Sequence, residues 1–228
     1  VITDIIIPAW NEEGTIGNVV RAIPKDMVRN IIVVNNRSTD RTAEVAAAAG
    51  AVVLHEDKRG YGAACLRGIA YANATMPPPD VIAFVDGDFS DHPEQLPELL
   101  VPIRDGEADM VIGSRASGQR EPGSMTPQQV FGNWLAVWLM RMIYGHRYTD
   151  LGPFRTIRTE SLNQLEMRDL TYGWTVEMQV KALKHKLKVT EVPMRYRKRG
   201  AGKSKVAGTL KGTILAGYKI ITTIFKYI

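Results

Sequence analysis

Asp86 and Asp88 flank a single glycine directly after the apolar run Val81-Ile82-Ala83-Phe84-Val85. Two carboxylates at that spacing, at the end of a buried strand, repel each other unless a cation lies between or beside them. A hard divalent ion with oxygen ligands, Mg2+ or Mn2+, suits them. Such an ion can hold a diphosphate and neutralise the charge that develops when the diphosphate leaves. Taken alone, the pair also reads as a polar turn with two capping aspartates, because Asp-x-Asp is a short pattern. A second group of reactive types lies far downstream. Arg195-Tyr196-Arg197-Lys198-Arg199, followed by Lys203 and Lys205, forms a dense basic stretch. It is either a solvated basic loop or an attractor of phosphate. It lacks an aromatic stacking ladder and a helix suited to a groove, which argues against nucleic acid as the partner. The four histidines show no metal-ligand spacing, and His92, just before Pro93, reads as positional.

These residues need a scaffold that brings them together. Short apolar runs at 2–7, 31–34, 51–54, 81–85 and 110–113 alternate with helical patterns at 12–22, 39–49, 61–72 and 93–103. That alternation predicts an α/β fold, a mostly parallel central sheet flanked by helices. In such sheets ligands bind beyond the carboxyl ends of the strands. Asn11-Glu12-Glu13, Asn35-Asn36-Arg37-Ser38, Asp86-Gly87-Asp88 and Gly113-Ser114-Arg115 each follow one of these runs, so they converge on one crevice.

The second half is less regular. Helices are expected at 128–144, 174–184 and 206–228, with a turn and strand over 148–158 and a strand at 187–192. Phe131, Trp134, Leu135, Trp138, Leu139 and Met142 share one side of the first of these helices, a pattern expected of a core-facing stripe, with a membrane contact as the alternative. In the last helix Lys211, Lys219 and Lys226 fall within one narrow arc. Those lysines disfavour a spanning segment and favour a helix lying in a membrane interface. The chain of 228 residues is 45% hydrophobic and 23% charged, as folded domains are, with a net charge of +5. A single cysteine, Cys65, leaves no internal disulfide and fits a reducing compartment. The first residues read as a strand rather than a signal peptide. The expected organisation is one domain over 1–205 with a helical extension over 206–228, working at the cytoplasmic face of a membrane as a peripheral protein.

The ordered clusters resemble the family 2 glycosyltransferases of the GT-A fold, in particular the branch of dolichol-phosphate mannose and polyprenyl-phosphate sugar synthases. Ile5-Ile6-Ile7-Pro8-Ala9-Trp10-Asn11-Glu12-Glu13 is similar to that family's opening strand and turn. Ile32-Val33-Val34-Asn35-Asn36-Arg37-Ser38-Thr39-Asp40 resembles its second motif, and Gly60-Tyr61-Gly62-Ala63-Ala64 with Arg67-Gly68 its third. Asp86 to Pro93, Gly113-Ser114-Arg115, Asp150-Leu151-Gly152-Pro153-Phe154-Arg155 and the stretch from Glu191-Val192-Pro193 to Lys205 follow in order.

The resemblance implies transfer of a hexose from a UDP- or GDP-sugar, with inversion, to a polyprenyl or dolichyl phosphate; another lipid or a small hydroxyl acceptor is the alternative, and a non-catalytic membrane-partner module a third reading. By position it implies that Pro8, Trp10 and Glu12 line the nucleoside pocket and that Asn35 meets the base edge. Asp86, Gly87 and Asp88 meet metal and diphosphate, Ser90 adds a polar contact, Arg115 faces the donor, and Arg199 and Lys205 close over the diphosphate. Two positions depart from the pattern. Asn35-Asn36 stands where the family usually has Asp-Asp, which leaves uracil or guanine open, and Arg37 stands where it usually has Gly. A lipid phosphate is already anionic and needs no strong base, whereas a hydroxyl acceptor does; Asp150 and Glu177 are the candidates for that base, or else structural carboxylates.

Overall fold

The structure, a computed structural model, describes residues 1–201 and 210–227, the side chains of 210–214 and 216 excepted. Seven strands form one sheet: β1 Thr3–Ala9, β2 Asn30–Asn35, β3 Val52–His55, β4 Val81–Phe84, β5 Met110–Ser114, β6 Arg155–Arg158 and β7 Val189–Pro193. Their order across the sheet is β3-β2-β1-β4-β6-β5-β7. All neighbours pair parallel except β6, which runs antiparallel to both β4 and β5.

Alternate residues of the central strands feed two cores, as the period of two in a strand requires. Ile6, Ile32, Val34, Ile82 and Phe84 pack on one face with helices α3 (Tyr61–Ala74), α5 (Pro127–Tyr144) and α7 (Trp174–Lys184). Ile5, Ile7, Ile31, Val33 and Ala83 pack on the other with α1 (Ile16–Ala22), α2 (Thr42–Ala48) and α4 (Leu96–Arg104). Burial on both faces is why these strands read as continuous apolar runs rather than alternating ones.

Several elements differ from the sequence expectation. The first helix begins at Ile16, not at residue 12, because residues 12–15 form a turn in which the Glu12 carbonyl accepts the Thr15 and Ile16 N–H groups. Residues 93–95 form a single tighter turn ahead of α4. A short helix, α6 (Thr159–Gln164), follows β6 and was not expected.

The largest correction concerns α5. Phe131, Trp134, Trp138 and Met142 are 61%, 55%, 46% and 66% exposed, so four of the six residues read as core-facing point outward, while Leu139 packs against the core. The inward side carries Ala136 and Met140 instead, with Val137, Ile143 and Tyr144 packed against the core. The helix is apolar nearly all round, and periodicity cannot choose between two apolar faces.

The last helix, α8 (Leu210–Lys226), packs on α5 and α7. Ile224 is buried, the Tyr144 hydroxyl donates to its carbonyl at 2.7 Å, and Lys219 pairs with Asp169 at 2.9 Å. Lys219 is therefore turned onto the domain rather than held in a lysine arc; the Lys211 side chain lies outside the described residues. Among the described residues no helix is long and apolar enough to cross a membrane.

Candidate active site

A cleft of about 510 Å3 opens at the carboxyl ends of β1 and β4, where the topology of parallel strands predicts a ligand site. Its first wall is the turn after β1. Asn11 there adopts φ 53°, a left-handed conformation that Asn tolerates better than most residues. The segment after β2 locks this turn: the Asn11 N–H donates to Ser38 Oγ at 2.9 Å, the Glu12 N–H to Thr42 Oγ1 at 2.8 Å, and the Thr39 N–H to Asn11 Oδ1 at 2.8 Å. Pro8, Trp10 and Glu12 line the cleft from this fixed turn.

Asp86, Gly87 and Asp88 form the floor. Burial and the neighbouring charge of Asp88 push the Asp86 carboxyl up to about 7, against the pull of a hydrogen bond from Tyr61. The Tyr61 hydroxyl donates to Asp86 Oδ1 at 3.1 Å. Asp88 Oδ1 accepts the Ser90 N–H at 3.0 Å and also the Ser90 hydroxyl. Asp88 Oδ2 accepts Arg199 Nη1 at 2.9 Å, and the same guanidinium reaches Glu12 Oε1 through Nη2. Thr15 Oγ1 donates to the Gly87 carbonyl at 2.9 Å and to Glu12 Oε2 at 3.1 Å. Asp88 and Glu12 thus share one cation already, the guanidinium of Arg199. Carboxylate oxygens that converge in this way match the donor preference of Mg2+ or Mn2+.

Arg115 lines the cleft as well, held from behind. Its backbone N–H and Nε donate to Asp150 Oδ2 at 2.7 and 2.8 Å, and Nη2 donates to Oδ1 at 2.7 Å. Burial alone would raise the Asp150 carboxyl, but the charge and hydrogen bonds of Arg115 hold it below its ordinary value.

The structure gathers some of the expected residues and leaves others out. Pro8, Trp10, Glu12, Asp86, Gly87, Asp88, Arg115 and Arg199 all border the cleft. Ser90 is buried behind Asp88 and steadies it. Asn35 is buried beside His55, with Nδ2 to Nδ1 at 3.3 Å and its Oδ1 accepting the Ser38 N–H at 3.1 Å; Asn36, not Asn35, borders the cleft. Lys205 lies outside the described residues.

Neither carboxylate considered as a proton acceptor borders the cleft. Asp150 is spent on Arg115. Glu177 is fully buried and accepts from the Asp169 N–H at 2.7 Å, the Tyr227 hydroxyl at 2.6 Å and Lys181 at 2.8 Å. Both are structural carboxylates in this geometry. Arg59, Tyr61, Gln129 and Tyr196, to which the sequence assigned no site role, also border the cleft. Tyr61 sits inside the Gly-Tyr-Gly motif, and Arg59 just ahead of it, so their place in that motif was the signal available.

The model of the family described as glycosyl transferase family 2 matches residues 4–166 of the chain. An uncharacterized glycosyltransferase of Mycobacterium tuberculosis is 35% identical over 214 residues, 93% of each chain. The undecaprenyl-phosphate mannosyltransferase of Micrococcus luteus is 29% identical over 91% of this chain and 88% of its own. Among solved structures, glucosyl-3-phosphoglycerate synthase from Mycobacterium tuberculosis, in complex with Mn2+, uridine diphosphate and phosphoglyceric acid, superposes with a TM-score of 0.78 at 23% identity, over 99% of this chain and 78% of that one.

Proposed function

Because the chain belongs to glycosyl transferase family 2, we propose that it moves a hexose from a UDP- or GDP-sugar to a polyprenyl or dolichyl phosphate, with inversion at the anomeric carbon. In this reading Asp86 and Asp88 hold Mg2+ or Mn2+, and Pro8, Trp10 and Glu12 border the nucleoside. When bound, the ion neutralises charge on the departing diphosphate. Arg115, fixed by Asp150, and Arg199 supply positive charge on the cleft walls, with Lys205 expected to join them. The acceptor phosphate is itself anionic and attacks without losing a proton. That fits a cleft whose neighbouring candidates for a base, Asp150 and Glu177, are occupied elsewhere.

The observation that carries the lipid acceptor is the position of the outward face of α5. Gln129, in its first turn, borders the cleft, and the exposed Phe131, Trp134, Trp138 and Met142 follow along the helix. Their rings run in series, with centroids 5.7 Å apart for Phe131 and Trp134 and 6.3 Å for Trp134 and Trp138. A row of Trp and Phe suits the boundary between headgroups and acyl chains, and it would bring a lipid phosphate to the cleft mouth from the cytoplasmic face. The Micrococcus luteus relative, named for undecaprenyl phosphate, supports this acceptor class.

Incubation of the protein with UDP-glucose or GDP-mannose, Mg2+, and undecaprenyl or dolichyl phosphate in vesicles tests the proposal. A sugar-linked lipid from one donor is the expected product. Failure with every donor and lipid would sink it. The phosphoglyceric acid bound by the glucosyl-3-phosphoglycerate synthase motivates a second reading, a small phosphorylated acid as acceptor. Transfer to 3-phosphoglycerate in the absence of lipid transfer would favour that reading.

A further inference from the structure

Asn36 spends its whole side chain on one loop. Its amide Nδ2 donates to the Glu56 carbonyl at 2.9 Å and to the Lys58 carbonyl at 2.8 Å, while its Oδ1 accepts the Gly60 N–H at 2.8 Å. Asn36 is nearly buried, so these three bonds fix residues 56–60 in one path. A carboxylate here, as in the usual Asp-Asp pattern, could accept from Gly60 but could donate to neither carbonyl. It would face two carbonyl oxygens with a negative charge. The departure from Asp at this position therefore has a local cause: this loop needs an amide.

The loop carries Arg59. Its guanidinium carbon lies 4.2 Å from the centroid of the Trp10 ring, and both residues border the cleft. Arg59 makes no ion pair among the described residues. A planar cation stacked on an aromatic wall keeps its N–H donors in a fixed plane at low entropic cost. Arginine offers donors and no acceptor. It therefore pairs with carbonyl groups on a base edge and disfavours exocyclic amino groups, the chemistry by which Arg selects guanine O6 and N7 over adenine.

We propose that Arg59 reads the nucleobase of the donor, selecting the keto bases uracil and guanine over the amino bases cytosine and adenine, and that Asn36 is the residue that positions it. This inference rests on the nucleotide-sugar reading above. The two departures at 35 and 36 then have different meanings. Asn35 is packed against His55 and away from the cleft, and Asn36 acts on the base only through Arg59.

Calorimetric titration of UDP, GDP, CDP and ADP with Mn2+ tests this on the unaltered protein and on Arg59→Ala, Arg59→Lys, Asn36→Asp and Asn36→Asp/Arg59→Ala. The unaltered protein should prefer its better keto nucleotide over CDP and ADP by about tenfold or more. Arg59→Ala should abolish that ranking, and Arg59→Lys, which keeps the charge without the planar fork, should fail to restore it. Asn36→Asp should lower keto-nucleotide affinity in the unaltered background but add nothing in the Arg59→Ala background, which a purely structural role would not produce. Arg59 is exposed, so its variants retain the fold and remain informative even where Asn36→Asp does not fold. Binding with an unchanged ranking in Arg59→Ala overturns the inference alone. No binding of any nucleotide by the unaltered protein overturns the donor-site reading beneath it.

Discussion

Arg199 and Arg115 meet the same floor from opposite dependencies. Arg199 is held by Asp88 and Glu12, groups that border the cleft, whereas Arg115 is held by a buried carboxylate behind it. Removal of the supports should therefore give different phenotypes. Asp88→Ala should lower kcat/KM by about a hundredfold or more with little loss of stability, measured by transfer assay and chemical denaturation. Asp150→Ala leaves the largely buried Arg115 guanidinium, open to solvent only on its cleft side, without its counter-charge and should cost about 3 kcal/mol of folding stability in the same denaturation experiment. The sequence made Asp86, Asp88 and Glu12 legible because each follows a strand. The job of Asp150 was not legible, since a carboxylate that faces an arginine and one that faces a substrate are the same letter; only the contact separates them.

At the level of elements, α5 shows how far pattern reading extends. Its existence and approximate ends were legible from composition; the structure adds the cap, Thr126, whose hydroxyl accepts the Gln129 N–H at 3.2 Å. The orientation of the helix was not legible, because both faces are apolar. Exposed aromatic residues contribute little to folding, so Trp134→Ser with Trp138→Ser should alter stability by no more than about 0.5 kcal/mol. The same double variant should lose sedimentation with phosphatidylglycerol vesicles; retention of full vesicle binding would remove α5 from the membrane contact. The N-terminus of α3 makes the opposite case. A Cβ at Gly62 would collide with the Asp169 carbonyl and press on the Trp174 ring. Gly62→Ala should destabilise the protein by about 1–3 kcal/mol and reduce nucleotide affinity, because the helix that carries Tyr61 must shift.

Across the whole molecule, three buried or half-buried carboxylates hold the second half of the chain together, Asp150 through Arg115, Asp169 through Lys219 and Glu177 through Lys181 and Tyr227. Burial would raise each of them, but Arg115 pulls Asp150 down, Lys219 and Thr171 pull Asp169 down, and Lys181 and Tyr227 pull Glu177 down. A carboxyl with a lowered folded value stabilises only while it is ionised. That contribution is complete above the ordinary values of 3.8 for Asp and 4.5 for Glu and is lost as the pH falls below them. Melting temperature should accordingly fall steeply on acidification below about pH 4, and Asp169→Asn should flatten part of that fall. The parallel half of the sheet was legible from its alternating runs. Strand β6 was expected within 148–158, but its antiparallel place between β4 and β5 was not legible, because it is decided by long-range pairing that four residues do not encode.

That inserted strand has a mechanical consequence. Strands β4 and β5, whose exits carry Asp86 and Arg115, are not joined to each other but are both laced to β6. The two sides of the cleft are therefore sewn into one continuous plate and cannot swing apart like the halves of a clamshell. Entry of the donor and escape of the spent nucleotide then fall to the rim, where Arg199 bridges Asp88 and Glu12, while the floor stays still.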